Sequence, residues 1–317
     1  MLGELMRVST FCPKAFPGVN SALTNLSEVV AGTVHSNENI KTDCDLLILG
    51  GWVDEYQFIL NQVKDKPCKK AVWFTSSLGQ SGLTPNLIEY AYLKTILKLL
   101  DTDLLDFLFV GGRKIYYPLR PLHKKIQLLP FPFNHRKYAA FDVEHKPWRV
   151  IFFAPKTVYK NVPNQLVALS LAQQIRPELD VHVNNIERTY YSLITDIFPL
   201  RYASHGWLPD SEYWQLIGSS ACSLQITYAE VCNYSAMTSM AMGTPTLLSN
   251  VVDWIPHTRL NRNLIVGRFD SPEHIAEKIL HVAEDPDHYS DHVKRMITHV
   301  AQMNNRGAIE VIKAICE

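Results

Sequence analysis

The sequence predicts an α/β protein built as two parallel-sheet halves facing each other across a cleft. Three observations carry this: the length, a repeated alternation of short apolar runs with amphipathic stretches, and a polar break that separates two rounds of that alternation. At 317 residues the chain is about twice the usual domain length, so two domains are expected. Apolar residues make up 47% and charged residues 20%, the balance of a chain that folds throughout rather than a disordered one.

The elements follow in order. RVSTF (7–11), DLLILGG (45–51), KAVWFTSS (70–77), LDFLFVGG (105–112) and KIQLLPF (125–131) are short apolar runs, most followed by Gly, Ser or Pro. Such runs suit parallel strands covered on both faces. Between them, SALTNLSEVVAG and LIEYAYLKTILKLL repeat apolar residues at three- and four-residue spacing, which predicts helices laid on a sheet. The polar stretch 134–148 suits a connector, so the first half is assigned to 1–140. The second half, 141–287, repeats the pattern: WRVIFFAP (148–155), a helix from about 164 to 175, LDVHVNN (179–185), a helix near 188–197, ACSLQI (221–226), a helix near 234–242, TPTLLSN (244–250), NLIVG (263–267) and a helix over 272–283. Residues 288–317 read as one or two helices that could cross back to the first half.

Lys plus Arg and Asp plus Glu are equal at 31 each, so no net field draws the chain to DNA, RNA or an anionic membrane. A local patch such as Arg113, Lys114, Arg120, Lys124 and Lys125 remains compatible with phosphate contacts. The six cysteines are scattered without CxxC pairs, which fits a reducing, cytoplasmic setting. The first residues lack the pattern of a secretory signal, and no apolar run is long enough to span a bilayer. The twelve histidines are dispersed with no HExxH, so structural roles and no metal site are expected. No Walker loop, GxSxG elbow or GxGxxG follows a strand, which argues against a P-loop NTPase, an α/β-hydrolase and an NAD enzyme.

The most informative stretch is ITYAEVCNYSAMTSMAMGTPTLLSN (226–250). A strand runs into a loop with Glu230; Asn233 can cap a helix whose first turn holds Tyr234 and Ser235; Gly243 can end it, and Pro245 opens the next strand. A helix starting at the carboxyl end of a parallel strand offers unpaired N–H groups and a positive dipole end to an anion such as a diphosphate. The same spacing also fits an ordinary strand–loop–helix connection.

The segment 205–250 resembles the donor-binding half of retaining GT-B glycosyltransferases, especially the large family 4. Gly206, the helix Glu212 to Gly218, Glu230 and the run Ala241-Met242-Gly243-Thr244-Pro245 take the places of that family's landmarks in order. The resemblance implies two Rossmann-like domains of GT-B type and transfer of a sugar from a nucleotide-sugar with retention. It implies no metal and no cofactor beyond the donor itself. Glu230 would contact the donor sugar, and Asn233, Tyr234 and Ser235 would face the sugar and diphosphate. Lys156 and Lys160 lie where family members carry diphosphate-binding cations, which can neutralise a leaving diphosphate; two solvated surface lysines are the plainer alternative. Gly18 matches the early glycine loop of the first half, and the loop 76–82, with Gly79 and Gly82, could close on substrate.

The departures are specific. Thr238 stands where the family has a second, ribose-binding glutamate and offers one hydroxyl and no charge. Val231 and Asn233 replace small glycines, Ser76 and Ser77 stand where a histidine is usual, and Asn134 replaces an Asp in a run closed by Phe141. The acceptor is open among a glycan, a lipid-linked glycan, a protein and modified DNA. A binding or scaffolding relative without turnover is the alternative of a different class.

Overall fold

The computed structural model describes residues 6–12, 17–51, 56–80, 88–153, 158–184, 192–256 and 258–317. The chain divides into two compact units, one of Met1–Asn134 with Ala301–Glu317 and one of His135–Val300.

The first unit holds a six-stranded sheet in the order β2-β1-β3-β4-β5-β6, every pairing parallel. Its strands are β1 (Val8–Phe11), β2 (Thr33–Ser36), β3 (Leu46–Gly50), β4 (Lys69–Phe74), β5 (Phe107–Val110) and β6 (Ile126–Leu128). Its helices are α1 (Pro17–Val29), α2 (Tyr56–Val63), α3 (Ile88–Asp101) and α4 (Arg113–Leu119). Leu46, Leu47, Ile48 and Leu49 of β3 are fully buried, because helices cover both faces of a central parallel strand. Burying four such side chains contributes about 6–12 kcal/mol before entropy is subtracted.

In the second unit the strands are β7 (Lys146–Phe152), β8 (Asp180–Asn184), β9 (Tyr202–His205), β10 (Ser220–Gln225), β11 (Thr246–Ser249) and β12 (Ile265–Val266). They form a parallel sheet in the order β12-β11-β10-β7-β8-β9. The helices are α5 (Val162–Ile175), α6 (Ser192–Ile197), α7 (Asp210–Gly218), α8 (Tyr234–Ala241), α9 (Asn261–Leu264), α10 (Pro272–Glu284) and α11 (Asp287–Cys316). The chain winds outward from β7 to β9, then returns to place β10 on the other side of β7. The direction reverses between β7 and β10, and in open α/β sheets ligands sit outside the carboxyl ends of the strands at that point.

One feature departs from the sequence expectations. The stretch read as a polar connector contains a 3₁₀ helix, His135–Phe141, whose Tyr138 and Phe141 rings meet Trp214 of α7 edge-on at 5.3 and 5.0 Å. Arg136 and Lys137 stand next to these aromatics in the chain, so the average polarity hides a packed face. The C-terminal stretch is one continuous helix, α11, with buried residues at helical spacing through Val293, Ile297, Ala301, Ala308 and Ile312. Its last turns belong to the first unit, where Asn305 exchanges hydrogen bonds with the Phe133 backbone, accepting from its N–H at 2.8 Å and donating to its carbonyl at 3.2 Å.

Candidate functional site

The loops leaving β7 and β10, the two strands at the reversal, come together through buried hydrogen bonds. Gln165, buried in the first turn of α5, donates from Nε2 to the Lys160 carbonyl at 2.7 Å and to the Ile226 carbonyl at 2.9 Å; its Oε1 accepts from the Ile226 N–H at 3.2 Å. Asn161 precedes α5 in the left-handed region, φ 53°, and donates to the Phe269 carbonyl at 2.6 Å. Asn164 reaches the Tyr228 hydroxyl at 2.9 Å, and the Tyr228 N–H donates to the Tyr159 carbonyl at 2.8 Å. None of Gln165, Asn161, Asn164 or Tyr228 stands out in the sequence; two amides directly after an Asn-Val-Pro helix start were the available signal.

This scaffold sets Lys160 against Glu230. Lys160 Nζ donates to Glu230 Oε2 at 2.6 Å, with the two side chains only 12% and 11% exposed. Glu230 Oε1 also accepts from the Val231 N–H at 3.2 Å, and the Lys160 ammonium lies 5.0 Å from the Tyr159 ring centroid. Burial alone would depress the Lys160 pKa, but the Glu230 carboxylate and the Tyr159 hydroxyl outweigh it and raise the value. Lys160 is thus a buried, charged cation rather than a solvated surface lysine. Lys156 lies outside the described residues.

Three residues beyond Glu230, helix α8 starts with Asn233 as its cap. Asn233 adopts φ 58°, ψ 68°, and its Oδ1 accepts from the Ala236 N–H at 3.1 Å. Asn tolerates this left-handed conformation better than most residues, which explains how the site dispenses with the glycine expected there. The Asn233 Nδ2 group is buried and makes no hydrogen bond. An orphaned buried amide donor is costly unless something with a free lone pair is to be received there. The Trp254 indole N–H donates to the Cys232 carbonyl and holds this loop. The Cys232 thiol is pushed well above its ordinary range, by burial first and by Glu230 and Asp253 after it, so it stays a thiol.

Ser235, in the first turn of α8, is exposed, and Tyr234 is half-buried with its hydroxyl pushed well above its ordinary range by burial and by Cys232. Thr238 is buried inside the same helix, and Gly243 ends it at φ 92°. In the first unit, Gly18 is exposed at the start of α1, with open space where a Cβ would sit. Ser76 and Ser77 are buried at the carboxyl end of β4; Gly82 lies outside the described residues. Of the basic patch, Arg113, Lys114, Arg120 and Lys124 are exposed, whereas Lys125 pairs with Asp103 at 2.6 Å. Among the described residues no three His, Cys, Asp or Glu side chains gather as metal ligands would, and no helix is long and apolar enough to cross a membrane.

Solved structures share this architecture. HepE from Anabaena, in complex with UDP and glucose, superposes with a TM-score of 0.72 at 10% identity, covering 98% of this chain and all of HepE. The chain has the GT-B fold. TarM matches with a TM-score of 0.66 at 8% identity over 86% of this chain and 54% of TarM. The pneumococcal O-GlcNAc transferase GtfA, in complex with UDP and GlcNAc, matches with a TM-score of 0.58 at 13% identity over 85% of this chain and 56% of GtfA. The chain therefore spans about half the length of TarM and GtfA and the whole of HepE. No family model and no curated protein matches the sequence. At these identities the likeness to the GT-B structures is one of fold.

Proposed function

We propose that this chain is a glycosyltransferase whose second unit binds a nucleotide-sugar donor, with Lys160, Glu230 and the start of α8 as the donor site. The observation that carries this reading is the Lys160–Glu230 pair, sequestered at the strand-order reversal beside a helix start that holds the unpartnered Asn233 amide. The GT-B fold, shared with proteins solved with UDP and a sugar, supports it.

In this reading the donor diphosphate sits at the α8 N-terminus. A helix start turns backbone N–H groups and the positive end of its dipole toward an anion, and at α8 the Ala236 N–H is already taken by the Asn233 cap. As the bond between the anomeric carbon and the diphosphate oxygen breaks, negative charge grows on the leaving group, whose oxygen can take the proton that the acceptor hydroxyl gives up. Lys160, already charged and largely out of water, has ammonium hydrogens beyond the one given to Glu230 with which to receive that charge. Glu230 accepts from sugar hydroxyls, and the acceptor oxygen forms the new bond to the anomeric carbon as it gives up its proton. Charge neutralisation by Lys160 and the helix start fits transfer without a metal ion. Retention of configuration enters through the resemblance alone.

Thr238 supports a second reading, a nucleotide-binding relative without turnover, because a buried threonine cannot accept from two ribose hydroxyls as a carboxylate does. One experiment separates the two. The protein is incubated with radiolabelled UDP-, GDP- and ADP-sugars and a panel of glycan, lipid-linked and protein acceptors, with Glu230→Ala in parallel. Sugar transfer by the wild type that falls at least a hundredfold in Glu230→Ala supports the enzyme. Nucleotide binding with no transfer or hydrolysis supports the second reading, and undiminished transfer by Glu230→Ala overturns the assignment of Glu230.

A further inference from the structure

Beside the donor site, the second unit carries a hydrogen-bonded relay that the sequence spacing conceals. Arg149 of β7, Asp180 and His182 of β8 and His205 of β9 lie on one face of the sheet, because parallel pairing sets Arg149 opposite Asp180 and Asn184 opposite His205. Asp180 Oδ2 accepts from Arg149 Nε at 2.9 Å and lies 3.0 Å from His182 Nε2. His182 Nδ1 is 2.8 Å from His205 Nε2, the two rings being 14° from parallel.

The protons follow from these contacts. Burial pushes the Asp180 carboxyl up, but the hydrogen bonds from His182 and Arg149 outweigh it and hold the value below its ordinary range. Asp180 is therefore a carboxylate, which only accepts, so His182 Nε2 carries a hydrogen. In neutral His182 the Nδ1 atom is then a lone pair, and the hydrogen in the 2.8 Å contact comes from His205 Nε2. The relay fixes the tautomer of His205 and leaves its Nδ1 as a hydrogen-bond acceptor with no partner among the described residues. Burial first, and the nearby Arg149 charge after it, lowers the His205 pKa and favours the neutral ring.

His205 ends β9, so it lies at the carboxyl edge of the sheet, where the donor site also lies. Its ring is 5.6 Å from that of Phe153, just past β7, and Phe153 stacks on Tyr213 at 5.5 Å and 20°. The Tyr213 hydroxyl in turn bonds Ser235 in the first turn of α8. A continuous path of side chains thus runs from the helix start to His205. The three strand spacings from β10 to β9 amount to about 14 Å, a span matched by an extended nucleoside diphosphate from terminal phosphate to the far edge of its base.

We infer that His205 reads the nucleobase of the donor, its Nδ1 accepting the imide N–H of uracil, thymine or guanine. This rests on the donor-site reading above. Phe153 and Tyr213 supply ring surface along the way. Cytosine and adenine present a lone pair where the other bases present the imide N–H, and two facing lone pairs that exclude water leave both groups unpaired.

The test uses the full chain and calorimetric titration with UDP, dTDP, GDP, CDP and ADP, together with the best ligand methylated at its imide nitrogen. The wild type is expected to bind at least one of UDP, dTDP and GDP tenfold or more tightly than CDP, ADP and the methylated analogue. In His205→Phe, which keeps a ring against Phe153 and removes the nitrogen, that discrimination should collapse to within about twofold, mainly through loss of affinity for the unmethylated base. Preference for CDP or ADP, equal binding of the methylated analogue by the wild type, or discrimination that survives in His205→Phe each overturns the inference. The two readings fail separately. If nucleotides bind in a Lys160-dependent way without imide discrimination, only the role of His205 falls; if none binds the wild type, the donor site itself falls.

Discussion

Replacing Lys160 by Met leaves the Glu230 carboxylate in a site where it is 11% exposed, with a hydrogen bond from the Val231 N–H at 3.2 Å. Removing one partner of a fully buried pair costs about 3–5 kcal/mol, and the residual exposure of both side chains places this pair near the lower end, about 3 kcal/mol. For a unit the size of His135–Val300, each kcal/mol moves the melting temperature by about 2–4 °C, so Lys160→Met should melt about 6–12 °C below wild type at pH 7. The double variant Lys160→Met/Glu230→Leu replaces the pair by apolar groups and should recover most of that loss, since such exchanges are often neutral or stabilising. Circular-dichroism melts of wild type, both single variants and the double variant provide the cycle. A Lys160→Met protein that melts with the wild type, or single effects that simply add in the double variant, would refute the claim that this pair is buried and coupled.

Other predictions concern the same loops. Asn233→Ala loses the α8 cap and places a β-carbon in the left-handed region, for a cost of about 2 kcal/mol, whereas Asn233→Gly costs a few tenths; urea denaturation measures both. Gln165→Leu strands the Lys160 and Ile226 carbonyls and the Ile226 N–H, so it should destabilise by about 2–4 kcal/mol and weaken nucleotide binding through Lys160. A β-carbon built on Gly218 would lie 2.1 Å from the Phe141 carbonyl oxygen, so Gly218→Ala should cost more than about 2 kcal/mol in the same assay. The Lys160 pKa is raised above its ordinary 10.5 on folding, so the stability linked to it is fully present below that pH and is lost as pH climbs through the raised value. Alkaline melts should therefore lower wild type relative to the Lys160→Met/Glu230→Leu variant, which lacks the pair; a wild type that gains on the variant above pH 10.5 would contradict the sign.

The legible parts of the fold are those where burial dictates residue type. The central strands β3 and β5 are apolar or small throughout, β4 and β10 are so over 71–74 and 220–224, and α1, α3 and α10 carry clear helical periodicity. The unread elements were edge or short ones. TVHS of β2 and YASH of β9 are half-exposed edge strands without an apolar run, and α2 and α4 span two turns each. At the site, the Asn233 cap and the loop position of Glu230 could be read from local spacing, because capping is a local interaction.

The pairing of Lys160 with Glu230 could not be read in that way, since it depends on β7 and β10 becoming neighbours across 70 residues of chain. His182 and His205 likewise looked dispersed because the hydrogen bond between them is created by strand adjacency. Local chemistry is written in sequence order, whereas these pairs are written in sheet order.

The central claim is that Lys160 and the start of α8 hold the diphosphate of a nucleotide donor. Calorimetric titration of wild type and Lys160→Ala with UDP, GDP and ADP at low and moderate salt tests it most directly. The account predicts saturable binding of at least one nucleotide by the wild type, weakened at least tenfold in Lys160→Ala, as loss of a charge-assisted hydrogen bond requires. Equal affinity in the two proteins, or no binding by either, would contradict it.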